Sequence, residues 1–262
     1  MFQSRIITKP LSHLHVHTRG SDQNPTLLLL HGFLGSSLDF NVLATLLEQK
    51  YHLLLVDLPG HGRSHIQSPP TFEELALCLK QIITNLGKEK ADLLGYSMGG
   101  RIALYTSCTF PKIFPQCTAL SATPGLASKT EQKQRLKKDL KLCQHMNDFP
   151  RFVKEWYEQP LFNSLRKTSA FPSLLNIRLQ EDPSQLQIAL RGLSVANQPS
   201  LWEELKNIPS LHYIYGEEDL AYATLATKIK AACPQARFTG IPNTGHALHI
   251  EAPEAVANLF DF

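Results

Sequence analysis

The chain has 262 residues, 43% of them hydrophobic, and a formal charge of +3. That is enough apolar material for one large α/β core, while the charge is too mild to argue for nucleic acid or an anionic membrane surface. The five cysteines, Cys78, Cys108, Cys117, Cys143 and Cys233, form no C-x-x-C pair, which argues against a disulfide framework or zinc site and fits a reducing, cytoplasmic setting.

Met1 to Pro10 alternates polar with apolar residues and lacks the apolar stretch of a secretory signal, and no run reaches the length that spans a bilayer. His13, His15 and His17 then alternate, as on one face of a strand. Because no cysteine or carboxylate stands nearby in sequence, an exposed strand face explains them better than metal ligation. Thr26 to Leu30 and Leu53 to Val56 are almost wholly apolar, as parallel strands buried on both faces require, with a helical stretch through Leu43, Leu46 and Leu47 between them. Leu93-Leu94, Thr118 to Leu120, His212 to Tyr215 and Arg237 to Ile241 continue the series. Strands alternating with helices predict an α/β fold with a mostly parallel, doubly wound sheet.

Between about Thr123 and Asn207 helical spacing takes over. Leu136, Leu140 and Cys143 make one stripe, and Leu186, Leu190 and Leu193 another. The expected organisation is a core of residues 1–122 and 208–262 with a helical lid, 123–207, inserted into it. Lys129, Lys133, Arg135, Lys137, Lys138 and Lys141 cluster on the first lid helix, mostly as a solvated face, with one or two left to meet a substrate.

The chemistry centres on Gly95-Tyr96-Ser97-Met98-Gly99-Gly100-Arg101. A G-x-S-x-G run after a short apolar strand and before a helix is the setting of a nucleophile elbow: the glycines allow a sharp turn, and the turn lifts the hydroxyl of Ser97 clear of the sheet. A serine hydroxyl needs an imidazole to take its proton. Among eleven histidines, His246 is favoured, on a loop after the last strand, with His249 next in line. The orienting acid should follow the preceding strand, where Glu217, Glu218 and Asp219 are adjacent; Asp219 is preferred, although only geometry separates the three.

After the first buried strand, the glycine-rich His31-Gly32-Phe33-Leu34-Gly35 can aim the backbone N–H of Phe33 at the nucleophile, with the N–H of Met98 as the second oxyanion donor; both side chains fit a wall or core role equally. Asp57-Leu58-Pro59-Gly60-His61-Gly62-Arg63-Ser64 is assigned mainly to turn structure. Arg101 lies one helical turn after Ser97 on an apolar helix, so it needs an anionic partner, either a structural carboxylate or one on a substrate. No phosphate-binding glycine loop or metal-ligand spacing is visible, so no cofactor is expected.

These segments resemble the α/β-hydrolase superfamily. Together with Trp156-Tyr-Glu-Gln-Pro-Leu-Phe162 and Leu193-Ser-Val-Ala-Asn-Gln-Pro199, they are similar, nearly end to end, to the 2-succinyl-6-hydroxy-2,4-cyclohexadiene-1-carboxylate synthases of menaquinone biosynthesis. The resemblance implies a lyase that expels pyruvate, with Ser97, His246 and Asp219 as triad and Tyr96, Arg101, Arg135, Trp156 and Arg178 holding a small polyanionic substrate. After the triad acid, Leu220-Ala221-Tyr222 keeps only the aromatic end of the basic or aromatic sequence common in the family. Several pocket arginines fit a multiply charged acid better than a neutral ester, which would leave them unpaired. The rivals are a serine esterase, a thioesterase or a carbon–carbon bond hydrolase acting on a small acidic substrate. A ligand-binding module without catalysis is disfavoured by the intact triad.

Overall fold

The computed structural model describes residues 14–260; His13 and the segment Met1 to Pro10 lie outside them. In chain order the elements are β1 (Val16–Arg19), β2 (Thr26–Leu30), α1 (Asn41–Leu47), β3 (His52–Val56), α2 (Phe72–Asn85), β4 (Asp92–Tyr96), α3 (Met98–Thr109) and β5 (Gln116–Leu120). Four helices follow, α4 (Lys129–His145), α5 (Phe149–Glu158), α6 (Phe171–Arg178) and α7 (Pro183–Leu193). The chain then returns to β6 (Ser210–Gly216), α8 (Leu220–Ala232), β7 (Arg237–Ile241), α9 (Leu248–Glu251) and α10 (Pro253–Ala257).

The strands form one seven-stranded sheet in the order β1-β3-β2-β4-β5-β6-β7. Every neighbouring pair is parallel except β1, which runs antiparallel along β3 with Val16 opposite Val56. β2 and β3 are buried at every position, as central strands covered on both faces must be. Their alternation divides the core. Leu28, Leu30, Leu54 and Val56 pack with α2, α3 and α8 on one side, and Leu27, Leu29, Leu53 and Leu55 with α1, α9 and α10 on the other. This is the mostly parallel, doubly wound sheet expected from the strand–helix rhythm.

The helices between β5 and β6 begin at a capping box, in which the Ser128 hydroxyl accepts the Glu131 N–H while the Glu131 carboxylate accepts the Ser128 N–H. Leu186, Leu190 and Leu193 of α7 are buried as one stripe. The stripe assigned to α4 is corrected: Cys143 is buried, but Leu136 and Leu140 are 37% and 46% exposed. The inward face of α4 is instead set by Arg135, Asp139, Leu142 and Cys143, a partly polar face because it borders a polar cavity rather than a dry core. No helix among the described residues is long and apolar enough to cross a membrane.

Candidate active site

Four loops at the carboxyl ends of parallel strands converge, the usual place for a site in such a sheet. The turn from β4 to α3 forces Ser97 to φ 51°, a left-handed conformation seldom adopted by a residue with a side chain. Its neighbours show why they are glycines: a Cβ on Gly95 would lie 2.3 Å from the Gly99 carbonyl oxygen, and one on Gly99 would lie 2.1 Å from that of Leu30. Ser97 is held in place by its own N–H, which donates to Leu120 O at 2.9 Å.

The loop after β7 brings His246 over the elbow. Its Nδ1–H donates to Asp219 Oδ2 at 2.7 Å, which leaves Nε2 to accept the Ser97 hydroxyl at 3.1 Å. Asp219 and His246 are 5% and 2% exposed, so the pair is shielded from water. Of the three adjacent carboxylates, Asp219 is the one that reaches the imidazole, while Glu217 and Glu218 are exposed. Glu251 fixes the loop by accepting the N–H groups on both sides of the histidine, Gly245 at 2.8 Å and Ala247 at 2.9 Å. His249, the second-choice base, lies buried between Tyr96 and Phe40 with neither ring nitrogen hydrogen-bonded; burial drives its pKa down to about 3 and keeps it neutral.

The relay opens into a cavity of about 180 Å³ walled by Phe33, Tyr96, Ser97, Arg135, Trp156, Arg178 and His246, with Asp39, Tyr157 and Tyr222 also on its surface. Phe33 packs edge-on against Trp156, and its loop abuts the elbow: a Cβ on Gly32 would press on the Tyr96 ring at 2.6 Å. Met98 is the first residue of α3, so its N–H points out of the helix start beside Ser97. Tyr222 packs against His246 with ring centres 4.7 Å apart and planes tilted by 50°, and its hydroxyl makes no hydrogen bond to the described residues.

The arginines differ from the expectation of three charges awaiting a substrate. Arg178, 2% exposed, donates from Nη2 to Asp39 Oδ2 at 2.7 Å and from Nε to the Tyr157 hydroxyl at 2.9 Å. Burial opposes its charge, but Asp39 more than offsets this and holds the guanidinium above the ordinary arginine range. Nη1 of Arg178 and Oδ1 of Asp39 are buried without partners among the described residues. Arg135 is an i,i+4 pair with the buried Asp139, Nε to Oδ1 2.8 Å. Arg101 is not on the cavity wall; it stands next to Arg135 and Tyr222, and burial together with Arg135 lowers its pKa to about 10. It has no carboxylate partner among the described residues, only Gln198 Oε1 at 3.5 Å and the face of Phe72. Two internal carboxylates therefore neutralise much of the charge that the sequence presents as free.

The reason given for dismissing His15 and His17 as ligands is also corrected. The antiparallel pairing of β1 with β3 brings Asp57 beside them, with His15 Nδ1 3.4 Å from Asp57 Oδ2. Asp57 already accepts the N–H groups of Ser37 at 2.7 Å and Arg63 at 3.0 Å, so it pins the loops flanking the site, in keeping with a turn role for that segment. Asp39, Tyr157, Tyr222 and Glu251 escaped the sequence reading. Tyr157 and Tyr222 stand inside segments already singled out, but Asp39 meets Arg178 only through the fold.

Among known proteins, the α/β hydrolase fold family matches residues 25–253. The 2-succinyl-6-hydroxy-2,4-cyclohexadiene-1-carboxylate synthase of Enterobacter sp. (strain 638) is 33% identical over 237 residues, covering 89% of each chain. The chloroplastic protein PHYLLO of Arabidopsis thaliana is 32% identical over 275 residues, which is 96% of this chain but 16% of that much longer one. Among solved structures, MenH from S. aureus superposes with a TM-score of 0.88 at 26% identity, covering 95% of this chain and 96% of that one.

Proposed function

The chain belongs to the α/β-hydrolase fold family, among the 2-succinyl-6-hydroxy-2,4-cyclohexadiene-1-carboxylate synthases, and on that premise we propose that it is the lyase of menaquinone biosynthesis that eliminates pyruvate from 2-succinyl-5-enolpyruvyl-6-hydroxy-3-cyclohexene-1-carboxylate. The observation that carries this reading is the position of the Ser97–His246–Asp219 relay at one end of a cavity that also contains the Arg178 and Arg135 guanidiniums.

In this reading Ser97 Oγ removes a ring proton while passing its own to His246 Nε2, because a free alkoxide is too costly near neutral pH. The C2–H electrons form a C2–C3 double bond, the existing C3–C4 double bond shifts to C4–C5, the C5–O bond to the enolpyruvyl group breaks, and the departing enolate takes the proton back from His246 to become pyruvate. Asp219 steadies the transient imidazolium, and the Phe33 and Met98 N–H groups supply the oxyanion donors. Tyr96 and Trp156 shape the ring's berth. Arg178 Nη1, still without a partner, and Arg135 receive substrate carboxylates, with Arg101 adding charge from behind.

The test offers the purified protein both the enolpyruvyl acid and a simple p-nitrophenyl ester. Pyruvate release without an acyl-enzyme burst, abolished in Ser97→Ala, is the expected result. Rapid ester turnover with a burst and no pyruvate would make it a hydrolase instead.

A further inference from the structure

A second hollow lies beside the catalytic cavity, in the groove between α4 and α5. On α4, Arg135, Lys138, Leu142 and His145 recur every three or four residues and so share one face; Trp156 and Gln159 face them from α5 and its end. The groove encloses about 360 Å³, twice the inner cavity. Arg135, Trp156 and Gln159 wall both spaces and so stand between them.

Two cations, Arg135 and Lys138, and two carboxylates, Asp139 and Glu155, line the groove, and both carboxylates are already engaged. Asp139 is occupied by Arg135 Nε and the Ser194 hydroxyl, and Glu155 by Arg151 Nε at 2.7 Å. Lys138 has no carboxylate within ion-pair distance among the described residues. An ammonium and a half-exposed guanidinium thus stand over an apolar floor that includes Leu142 and the buried Phe152. Carboxylates on a compact hydrocarbon skeleton fit such a lining, the apolar part on the floor and the charge on the rim.

We infer that this groove is an outer binding site for small polycarboxylates, a vestibule in which the substrate docks on Lys138 before its carboxylates pass to Arg135 and across the Trp156 partition. The inference rests on the reading of the substrate as a multiply charged acid. It also gives a specific role to one lysine of the basic α4 cluster and leaves Lys137, one residue away and exposed outside the groove, as solvated charge.

Lys138→Glu and Lys137→Glu change the net charge equally, so comparing them separates local docking from the general field of the protein. At low ionic strength Lys138→Glu is expected to lower kcat/KM for the enolpyruvyl acid about fivefold, mainly through KM, against less than twofold for Lys137→Glu, with the gap closing as salt is raised. Equal effects of the two substitutions overturn the vestibule. A readout independent of turnover is the Trp156 fluorescence titrated with tricarballylate. Its half-saturation should rise about fivefold in Lys138→Glu and not in Lys137→Glu, and an unchanged titration again overturns the proposal. Should the wild-type protein release no pyruvate while the titration still depends on Lys138, the lyase reading fails and the vestibule stands. Pyruvate release indifferent to Lys138 rejects the vestibule alone.

Discussion

Asp39 and Arg178 lie 139 positions apart in sequence and meet at 2.7 Å in the cavity wall, with side chains only 2% and 3% exposed. The aspartate aims a guanidinium whose Nη1 is left for a ligand, and in doing so places a carboxylate inside a cavity assigned to an anionic substrate. Asp39→Asn keeps the shape but removes the countercharge. Breaking a buried pair costs roughly 3–5 kcal/mol, so a fall in the urea midpoint is expected together with a rise in KM. The double variant Asp39→Asn/Arg178→Met should regain stability without regaining affinity. A double variant as unstable as the single would mean that the pair is not a unit.

Arg101 faces the opposite situation, a half-buried cation held among the described residues by a long hydrogen bond and an aromatic face. Set behind the cavity wall beside Arg135, it adds charge to the carboxylate site, so Arg101→Met should lower kcat/KM about tenfold, about 1.4 kcal/mol of transition-state binding. Lys137→Met, on the solvent side of α4, should change it less than about twofold. Small, equal losses in steady-state assays would remove Arg101 from the recognition of substrate.

Glu251 touches neither nucleophile nor cavity, yet it grips both peptides that flank His246. Glu251→Ala frees two N–H groups and lets the imidazole drift from Ser97 Oγ. A displacement near 1 Å costs on the order of 10²-fold in rate, so kcat should fall by about that factor while KM hardly moves. A variant with normal kcat would show that the loop is held by packing alone.

What the sequence made legible follows from how far apart the cooperating residues are. The elbow was readable because Gly95, Ser97 and Gly99 act on one another within five positions, and the sheet because β2 and β3 carry unbroken apolar runs. Choosing Asp219 over Glu217 and Glu218 needed coordinates, since three adjacent carboxylates are chemically alike and differ only in reach. The α4 stripe was misread because Leu136 and Leu140 have helical spacing, whereas the face that points inward borders a polar cavity and is built on Arg135 and Asp139. Asp57 beside His15, like Asp39 beside Arg178, exists only once strands and loops are assembled.

Glu181, just past α6, ties the helices between β5 and β6 to the loop after β3 by accepting the Gly62 N–H at 2.9 Å, and its burial raises its pKa to about 7. The folded protein therefore binds this proton more tightly than the unfolded chain, whose glutamate titrates near 4.5. The associated stability is fully present below that lower value and is lost as pH climbs through about 7. Asp92, raised by burial to about 6, bends the profile in the same direction. Three histidines held neutral by burial, His61 with a pKa of about 3, His212 of about 4 and His249 of about 3, work the other way, because the unfolded chain protonates them as pH falls through the ordinary imidazole range. Together they outweigh the two carboxylates, so the wild-type protein should be less stable to urea at pH 5 than at pH 7.5, with Glu181 offsetting about 2 kcal/mol of the difference. Glu181→Gln holds the uncharged form at every pH, so its urea midpoint should match the wild type's at pH 5 and exceed it at pH 7.5. Parallel profiles for the two proteins would show that Glu181 ionises in the folded state without penalty, and that the loop after α6 opens to water near neutral pH.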